Sequence, residues 1–364
     1  MASTWRWKAK RELGVLVERA LYAPFHLVAP LLQRLYDRWV FPRLKRHTLD
    51  ELATCSRVAV LLSHSVHGLP VRVFAAVERL RGSQFAVLVV ANGGLEPSAI
   101  ERLTQAGASV LLRPNWGYDF GGYRDGIRLL GLLGAQPAEL ILMNDSIEYP
   151  IFAGDTLIED MQRNGKDFVG AVHAKPYNSP DFGVLFSFFL WVSAEALRSM
   201  AWQDFWRRYV MTGSKYATVR RGERALTQAM CQAGLRCGGV YTREAFLNKA
   251  QELDADNLRS AIAYGVYVDD EAFAVRASEL MAFNPCADQW RGLALTFIED
   301  VVAKRNFMYS FPYITYGALG VPFLKRSRAA AQKSASQVVR RLVERGMLVG
   351  FSQRNAGESG VAWE

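Results

Sequence analysis

Four short apolar runs stand out between residues 57 and 143: Val58-Ala59-Val60-Leu61-Leu62, Phe85 to Val90, Ser109-Val110-Leu111-Leu112 and Leu140-Ile141-Leu142-Met143. Each is β-prone and unbroken, the pattern of a strand buried on both faces. Val71 to Leu80, Ser98 to Ala106 and Gly126 to Leu133 separate them and carry apolar residues at helical spacing. Gly107 and Asn92-Gly93-Gly94 punctuate the series. Strands alternating with helices predict an α/β fold with parallel strands joined by crossovers.

The two ends have a different pattern. Val28, Leu31, Leu32, Leu35 and Trp39 follow helical spacing, with Gln33, Arg34, Asp37 and Arg38 on the other side. Pro24 and Pro30 are expected to break this segment into two or three short helices. Val338, Val339, Leu342 and Val343, with Arg340, Arg341 and Arg345, predict one more basic amphipathic helix, and Gln353 to Glu364 read as a frayed end. The expected organisation is a basic amphipathic extension over 1–50, a main domain over 51–326, and a basic helix and tail over 327–364.

Composition narrows the classes. Half of the 364 residues are hydrophobic and 22% are charged, which excludes a disordered chain. Four cysteines, Cys55, Cys231, Cys237 and Cys286, exclude a disulfide scaffold and lack zinc spacing. Cys231 and Cys237 are expected to be buried small residues. No run approaches the roughly 20 apolar residues of a membrane span, and the N-terminus does not read as a secretory signal. The net charge of +9 is uneven: residues 1–47 carry +7, residues 322–364 carry +5, and the middle is left at −3. An acidic middle argues against nucleic acid as a partner. The cysteine usage fits a reducing, cytoplasmic setting, and the basic amphipathic ends fit either docking on an anionic membrane surface, peripherally on the inner face of the cell membrane, or packing on the body of the protein with a solvated basic face.

In open α/β sheets chemistry gathers beyond the C-terminal ends of the strands. There the chain places Ser63-His64, Asn92-Gly93-Gly94, the segment Arg113 to Asp125, and Asn144-Asp145-Ser146. In the third loop Gly117, Gly121 and Gly122 permit a sharp turn and close approach to a ligand. The helix that follows would aim N–H groups at a phosphate, Asp119 and Asp125 add carboxylates, and Arg124 adds a charge for a diphosphate. In the fourth, Asp145 could hold a divalent cation bridging to a diphosphate, with Asn144 and Ser146 hydrogen-bonding the ligand. Asp119 and Asp145 could equally be turn or capping residues. His173, after Val169-Gly170-Ala171-Val172, is a second metal or diphosphate candidate.

The two loops together, Asn115-Trp116-Gly117-Tyr118-Asp119-Phe120-Gly121-Gly122-Tyr123 and Leu140 to Ser146 with Tyr149-Pro150, resemble the rhamnan synthesis protein F family of glycosyltransferase-like proteins. Asp167 to Gly170, Ser187 to Leu190 and Pro322 to Arg326 are similar to later blocks of that family, so the resemblance runs over about residues 57–326. It implies a GT-A-like mixed sheet flanked by helices. It also implies transfer of a sugar, often rhamnose, from a nucleotide-sugar such as dTDP-rhamnose to a glycan or lipid-linked glycan acceptor. Asn92, Asn115, Gly117, Asp119, Gly121, Gly122, Arg124, Asn144, Asp145 and Ser146 would then bind the donor. Asn144-Asp145-Ser146 stands where many GT-A enzymes have Asp-x-Asp, with Asp145 its one acid, so a Mg or Mn requirement and a non-catalytic scaffold role both stay open.

An inverting transfer needs a base for the acceptor hydroxyl. Glu223, just before a helix expected from Ala225 to Gln232, and Asp181, in the turn after Asn178-Ser179-Pro180, are the candidates. Asp269-Asp270-Glu271 reads as a solvated acidic face. The aromatic run Asn306 to Tyr316 would be either a sugar-stacking surface or core.

Overall fold

The structure is a computed structural model describing residues 28–64, 69–175, 181–268, 270–283, 287–326 and 329–348. Its contacts divide the chain into two compact units, the first holding the residues up to Asp145 with Gly165–Gly170 and Val184–Gly238.

The strands, in chain order, are β1 (Arg46–His47), β2 (Arg57–His64), β3 (Ala86–Asn92), β4 (Ala108–Arg113), β5 (Glu139–Asn144), β6 (Ile147–Glu148), β7 (Phe168–Ala174), β8 (Val184–Leu185), β9 (Phe189–Ser193), β10 (Cys237–Tyr241) and β11 (Leu324–Lys325). The first unit is built on a sheet ordered β1-β4-β3-β2-β5-β9-β7, then the start of β10. β4, β3, β2 and β5 are parallel, with Val60 opposite Leu88 on one side and Leu142 on the other. β1 and β9 pair antiparallel with β4 and β5, and β9 pairs antiparallel with β7. The result is a mixed, mostly parallel α/β sheet flanked by helices. Every residue of β3 and six of the eight in β2 are buried, which is why these runs lack polar alternation.

Helices Val71–Gly82 and Pro97–Gln105 appear where the periodicity placed them. The third crossover helix is longer. It runs Tyr118–Leu132 rather than starting at Gly126, so most of the expected glycine-rich loop is its first two turns. Four glycines in this helix, Gly121, Gly122, Gly126 and Gly131, lower intrinsic helix propensity, and packing overrides them. A Cβ on Gly122 would lie 2.1 Å from the Leu62 side chain and one on Gly126 2.8 Å from Val60, so these glycines let the helix sit directly on β2.

Val28 through Val40 is helical, passing into a π segment at Tyr36–Val40, and Pro30 does not break it. Proline removes its own N–H bond and crowds the carbonyl four residues back, and the bonds after it are untouched. Pro24 and residues 1–27 lie outside the described residues. Gln33 and Tyr36 face the unit, whereas Val28, Leu31, Leu32, Leu35 and Trp39 are exposed.

The second unit holds Ser146–Asn164, Ala171–Gly183 and the chain from Gly239 onward. It is mainly helical, around Trp290, Phe246, Phe311 and Phe323, with β6 and β11 as a small antiparallel pair. The aromatic run is core here, since Phe307, Phe311, Ile314 and Tyr316 are all buried. Asp270 is no idle acid: its carboxylate accepts the Phe273 N–H (3.2 Å) and caps helix Glu271–Ala282. Asp269 lies outside the described residues. The basic C-terminal helix forms over Ala330–Glu344, with Val338, Val339 and Leu342 buried and Arg340 and Arg341 exposed. Cys231 and Cys237, in the first unit, are half-buried free thiols rather than fully buried ones, and Cys286 is outside the described residues.

Candidate functional site

The site is assembled in the first unit, at the C-terminal ends of β2, β4 and β5. Gly117 turns the chain out of β4 with φ +86°, where a Cβ would meet Met211 at 2.9 Å, and Tyr118 follows with φ +50°. A left-handed tyrosine costs about 1–3 kcal/mol, and such strain collects at ligand sites. Its ring is exposed at the start of the helix. One residue on, Asp119 sits in the first helical turn, where the helix dipole favours a carboxylate. Gly121 serves packing, since a Cβ there would lie 2.2 Å from the Trp116 carbonyl oxygen.

Asp119 meets the end of β5. The Asn144 side-chain amide donates to Asp119 Oδ2 (3.0 Å). Next along, Asp145 Oδ2 accepts from the Ser63 hydroxyl (3.0 Å) and the His64 N–H (3.1 Å), both at the end of β2. Arg72 donates to the Asp145 carbonyl (3.2 Å) and brings its guanidinium within 3.7 Å of the carboxylate. Asp145 is thus held by two donors and a cation. That donor set does not fit a resident metal ion, which would compete with Arg72 for the same carboxylate. Among the described residues no group of three or more His, Cys, Asp or Glu side chains gathers to hold a metal.

Glu223 joins from another direction. It lies inside a π segment, Val219–Arg224, of a helical run from Lys215 to Gln232, not just before a helix that starts at Ala225 as the sequence suggested. Gly222 packs so closely on the Phe120 ring that a Cβ would lie 2.6 Å from it, and the wide turn carries Glu223 toward Ser187. Glu223 Oε2 accepts both the Ser187 N–H (2.8 Å) and its hydroxyl (2.7 Å). The Ser187 carbonyl in turn accepts the Tyr123 O–H (2.8 Å). Tyr123 is fully buried. Burial raises its pKa well above the usual phenol value, and the negative charge of Asp119, then of Glu223 and Asp145, pushes it further, against a hydrogen bond with Asn144. Three carboxylates therefore share one neighbourhood around a neutral tyrosine.

Other expected site residues are engaged elsewhere. Asn92 is buried, with its side-chain amide oxygen accepting from Arg113. Arg113 also donates to Asp125 (2.7 Å), which accepts the Tyr36 hydroxyl as well (2.6 Å). Arg124 pairs with Asp37 through two bonds (2.9 and 2.6 Å) and is nearly buried, so its charge is spent within the protein rather than held for a diphosphate. Asn115 is exposed beside Trp116. In the second unit, Ser146 takes a hydrogen bond from Lys325 (2.5 Å), and its carbonyl accepts the Arg326 N–H (2.8 Å). His173, also there, stacks on Phe182 with ring centroids 4.4 Å apart and bonds the Phe182 carbonyl through Nε2. Asp181 is exposed in the same unit, and the Asn178-Ser179-Pro180 turn before it is outside the described residues.

Ser63, His64, Arg72, Tyr123 and Ser187 complete the cluster without having been assigned to it from sequence. The first two carried a signal, being the polar end of an apolar strand.

With this geometry in view, comparison places the segment. The model of the rhamnan synthesis protein F family matches residues 87–264. The rhamnan synthesis protein F match contains Asp119, Asn144, Asp145, Ser187 and Glu223, and ends well before Pro322–Arg326. The chain is 28% identical over 278 residues to the uncharacterized protein y4gN of Sinorhizobium fredii, covering 74% of this chain and 70% of that protein. It is also similar to the glycosyltransferase GlyE of Streptococcus pneumoniae, at 11% identity and a TM-score of 0.31, over 82% of this chain and 66% of that one. A structural likeness that distant bears no weight on mechanism.

Proposed function

We propose that this protein is a glycosyltransferase of surface-polysaccharide synthesis, using a nucleotide-sugar donor on a GT-A-like scaffold. The observation that carries this reading is the convergence of Asp119, Asn144, Asp145 and Glu223 at strand ends of one unit, inside the segment matched by the rhamnan synthesis family. In the proposed arrangement Asn144 and the Asp145 loop receive the donor, with Tyr118 and Asn115 at its exposed rim. Asp119 orients the Asn144 amide. Ser63, His64 and Arg72 fix Asp145.

Glu223 is the proposed base. Its Oε2 is fixed by Ser187, which sets the orientation of the carboxylate. The acceptor hydroxyl loses its proton to Glu223 as its oxygen bonds the anomeric carbon, and the nucleoside diphosphate departs with the electron pair of the broken bond. Such a step inverts the anomeric centre. Because the residues around Asp145 do not fit a resident cation, no step is assigned to one. Asp181, the other candidate base, lies in the second unit, and the proposed step uses Glu223.

The test is transfer from a panel of nucleotide-sugars, dTDP-rhamnose included, to a glycan or lipid-linked glycan acceptor, beside calorimetric binding of the same donors. Binding and transfer of one donor is the expected result. Donor binding with no turnover on a competent acceptor would favour a scaffold in polysaccharide assembly. No binding of any nucleotide-sugar would overturn both readings.

A further inference from the structure

The helix over Val28–Val40 is turned inside out relative to an ordinary surface helix. Three of its polar residues, Gln33, Tyr36 and Asp37, face the protein. Gln33 is 7% exposed, and its amide donates to the Tyr209 carbonyl (2.9 Å) and accepts the Met211 N–H (2.7 Å). Tyr36 bonds Asp125 (2.6 Å) and packs edge-on against Trp116 at 5.3 Å, while Asp37 is held by Arg124 and Arg128. These bonds fix the helix about its own axis. Val28, Leu31, Leu32, Leu35 and Trp39, spaced i, i+3, i+4, i+7 and i+11, therefore form an outward apolar stripe, with Leu31 57% and Trp39 52% exposed.

Basic residues frame that stripe. Arg34, Arg38, Arg43 and Lys45 are exposed, and the Arg38 and Arg43 guanidinium groups lie 5.4 and 5.5 Å from the centre of the Trp39 ring. Residues 1–47 as a whole hold ten Lys/Arg against three Asp/Glu. Aliphatic side chains, an interfacial tryptophan and clustered arginines on one side suit the boundary of an anionic bilayer, where apolar burial and phosphate attraction add. No described helix is long and apolar enough to cross a membrane. We infer that helix Val28–Val40 lies in the interface of an anionic lipid bilayer, its outward apolar stripe inserted among the acyl chains and its arginines on the headgroup phosphates. This inference does not rest on the sugar-transfer reading, and its test needs no activity.

The test is co-flotation of the full chain with vesicles of phosphatidylcholine alone and of phosphatidylcholine mixed with phosphatidylglycerol. Binding to the mixed vesicles and little to the neutral ones is expected. Leu31→Glu with Leu35→Glu should weaken it on the order of a hundredfold, about tenfold per leucine. Arg34→Gln and Arg38→Gln should each weaken it about fivefold. Melting curves should not change, because all four side chains are exposed. If the glutamate pair does alter the melt, Leu31→Ser with Leu35→Ser gives the same reading. The inference is overturned if the full chain fails to float with the mixed vesicles, or if the leucine variants float as well as the wild type. It is equally overturned if those variants only dissociate a dimer, which would make a second copy the occupant.

Discussion

Two acid-bearing networks lie at the strand ends of the first unit, and they differ in access. The first joins Arg113, Asp125, Asn92 and Tyr36, with the Arg113 and Asp125 side chains both 0% exposed. The second joins Asp119, Asn144, Asp145, Ser187 and Glu223, whose three carboxylates are half-buried. Both draw on the same stretch after β4. The sealed network satisfies its charges within the protein, so it positions the start of the Tyr118–Leu132 helix and has nothing to offer a ligand. In the open one, the carboxylates keep partial contact with solvent, which is where the proposed function puts donor and acceptor. Charge at a strand end is thus not in itself a site, and accessibility separates the acids satisfied within the protein from those a ligand could reach.

Breaking the open network should affect turnover and spare the fold. Glu223→Gln keeps an acceptor for Ser187 and removes the base, so transfer should fall by about 10²–10⁴-fold with an unchanged urea midpoint. Turnover near the wild-type rate would remove Glu223 from the mechanism. The sealed network should show the reverse. Asp125→Ala leaves Arg113 buried and unpaired and is expected to cost about 3–5 kcal/mol in urea unfolding. A cost under about 1 kcal/mol would mean that the pair is not what holds this helix.

Between these two lies Gly121, whose added Cβ would meet the Trp116 backbone oxygen. Gly121→Ala should cost about 1–3 kcal/mol, and any loss of turnover should follow from displacement of Asp119. The smallest effect belongs to Tyr123. Its pKa is raised in the folded state, so its contribution to stability is fully present below the unfolded phenol value of about 10 and is lost as pH rises through the folded value. Stability should therefore decline above about pH 10, with a shallower decline in Tyr123→Phe; equal slopes in the two proteins would contradict a buried, charge-surrounded tyrosine.

The same contrast explains how much the sequence revealed. β2 to β5 and their parallel pairing were legible, because strands buried on both faces cannot hide their apolar runs. The strand ends followed, and with them the positions of Asp119, Asn144 and Asp145 beside them, though not their role. The split between Asp119 and Asp125 was not legible while Gly117 to Asp125 read as a loop. Once the helix starts at Tyr118, a spacing of six puts the two acids on different faces. Arg124 reads like an anion binder until its partner Asp37, 87 residues away, is seen. Glu223 was a candidate by type alone, and a π segment leaves no mark in hydrophobic spacing, so its reach to Ser187 was not visible. The N-terminal helix shows the opposite limit. Its periodicity was plain in the sequence, yet not which face would point inward, since that was decided by Gln33, Tyr36 and Asp37 finding partners far along the chain.

The central claim is that the open network, and not the sealed one, is where the donor binds. The most direct measurement is a crystal structure of the protein with dTDP, supported by a calorimetric titration of the same nucleotide. The diphosphate is expected at the ends of β2, β4 and β5, within hydrogen-bonding reach of Asn144 and the Asp145 loop, with the Arg113–Asp125 pair unmoved. A nucleotide bound away from Asp119, Asn144 and Asp145, or no binding at millimolar dTDP, would contradict it.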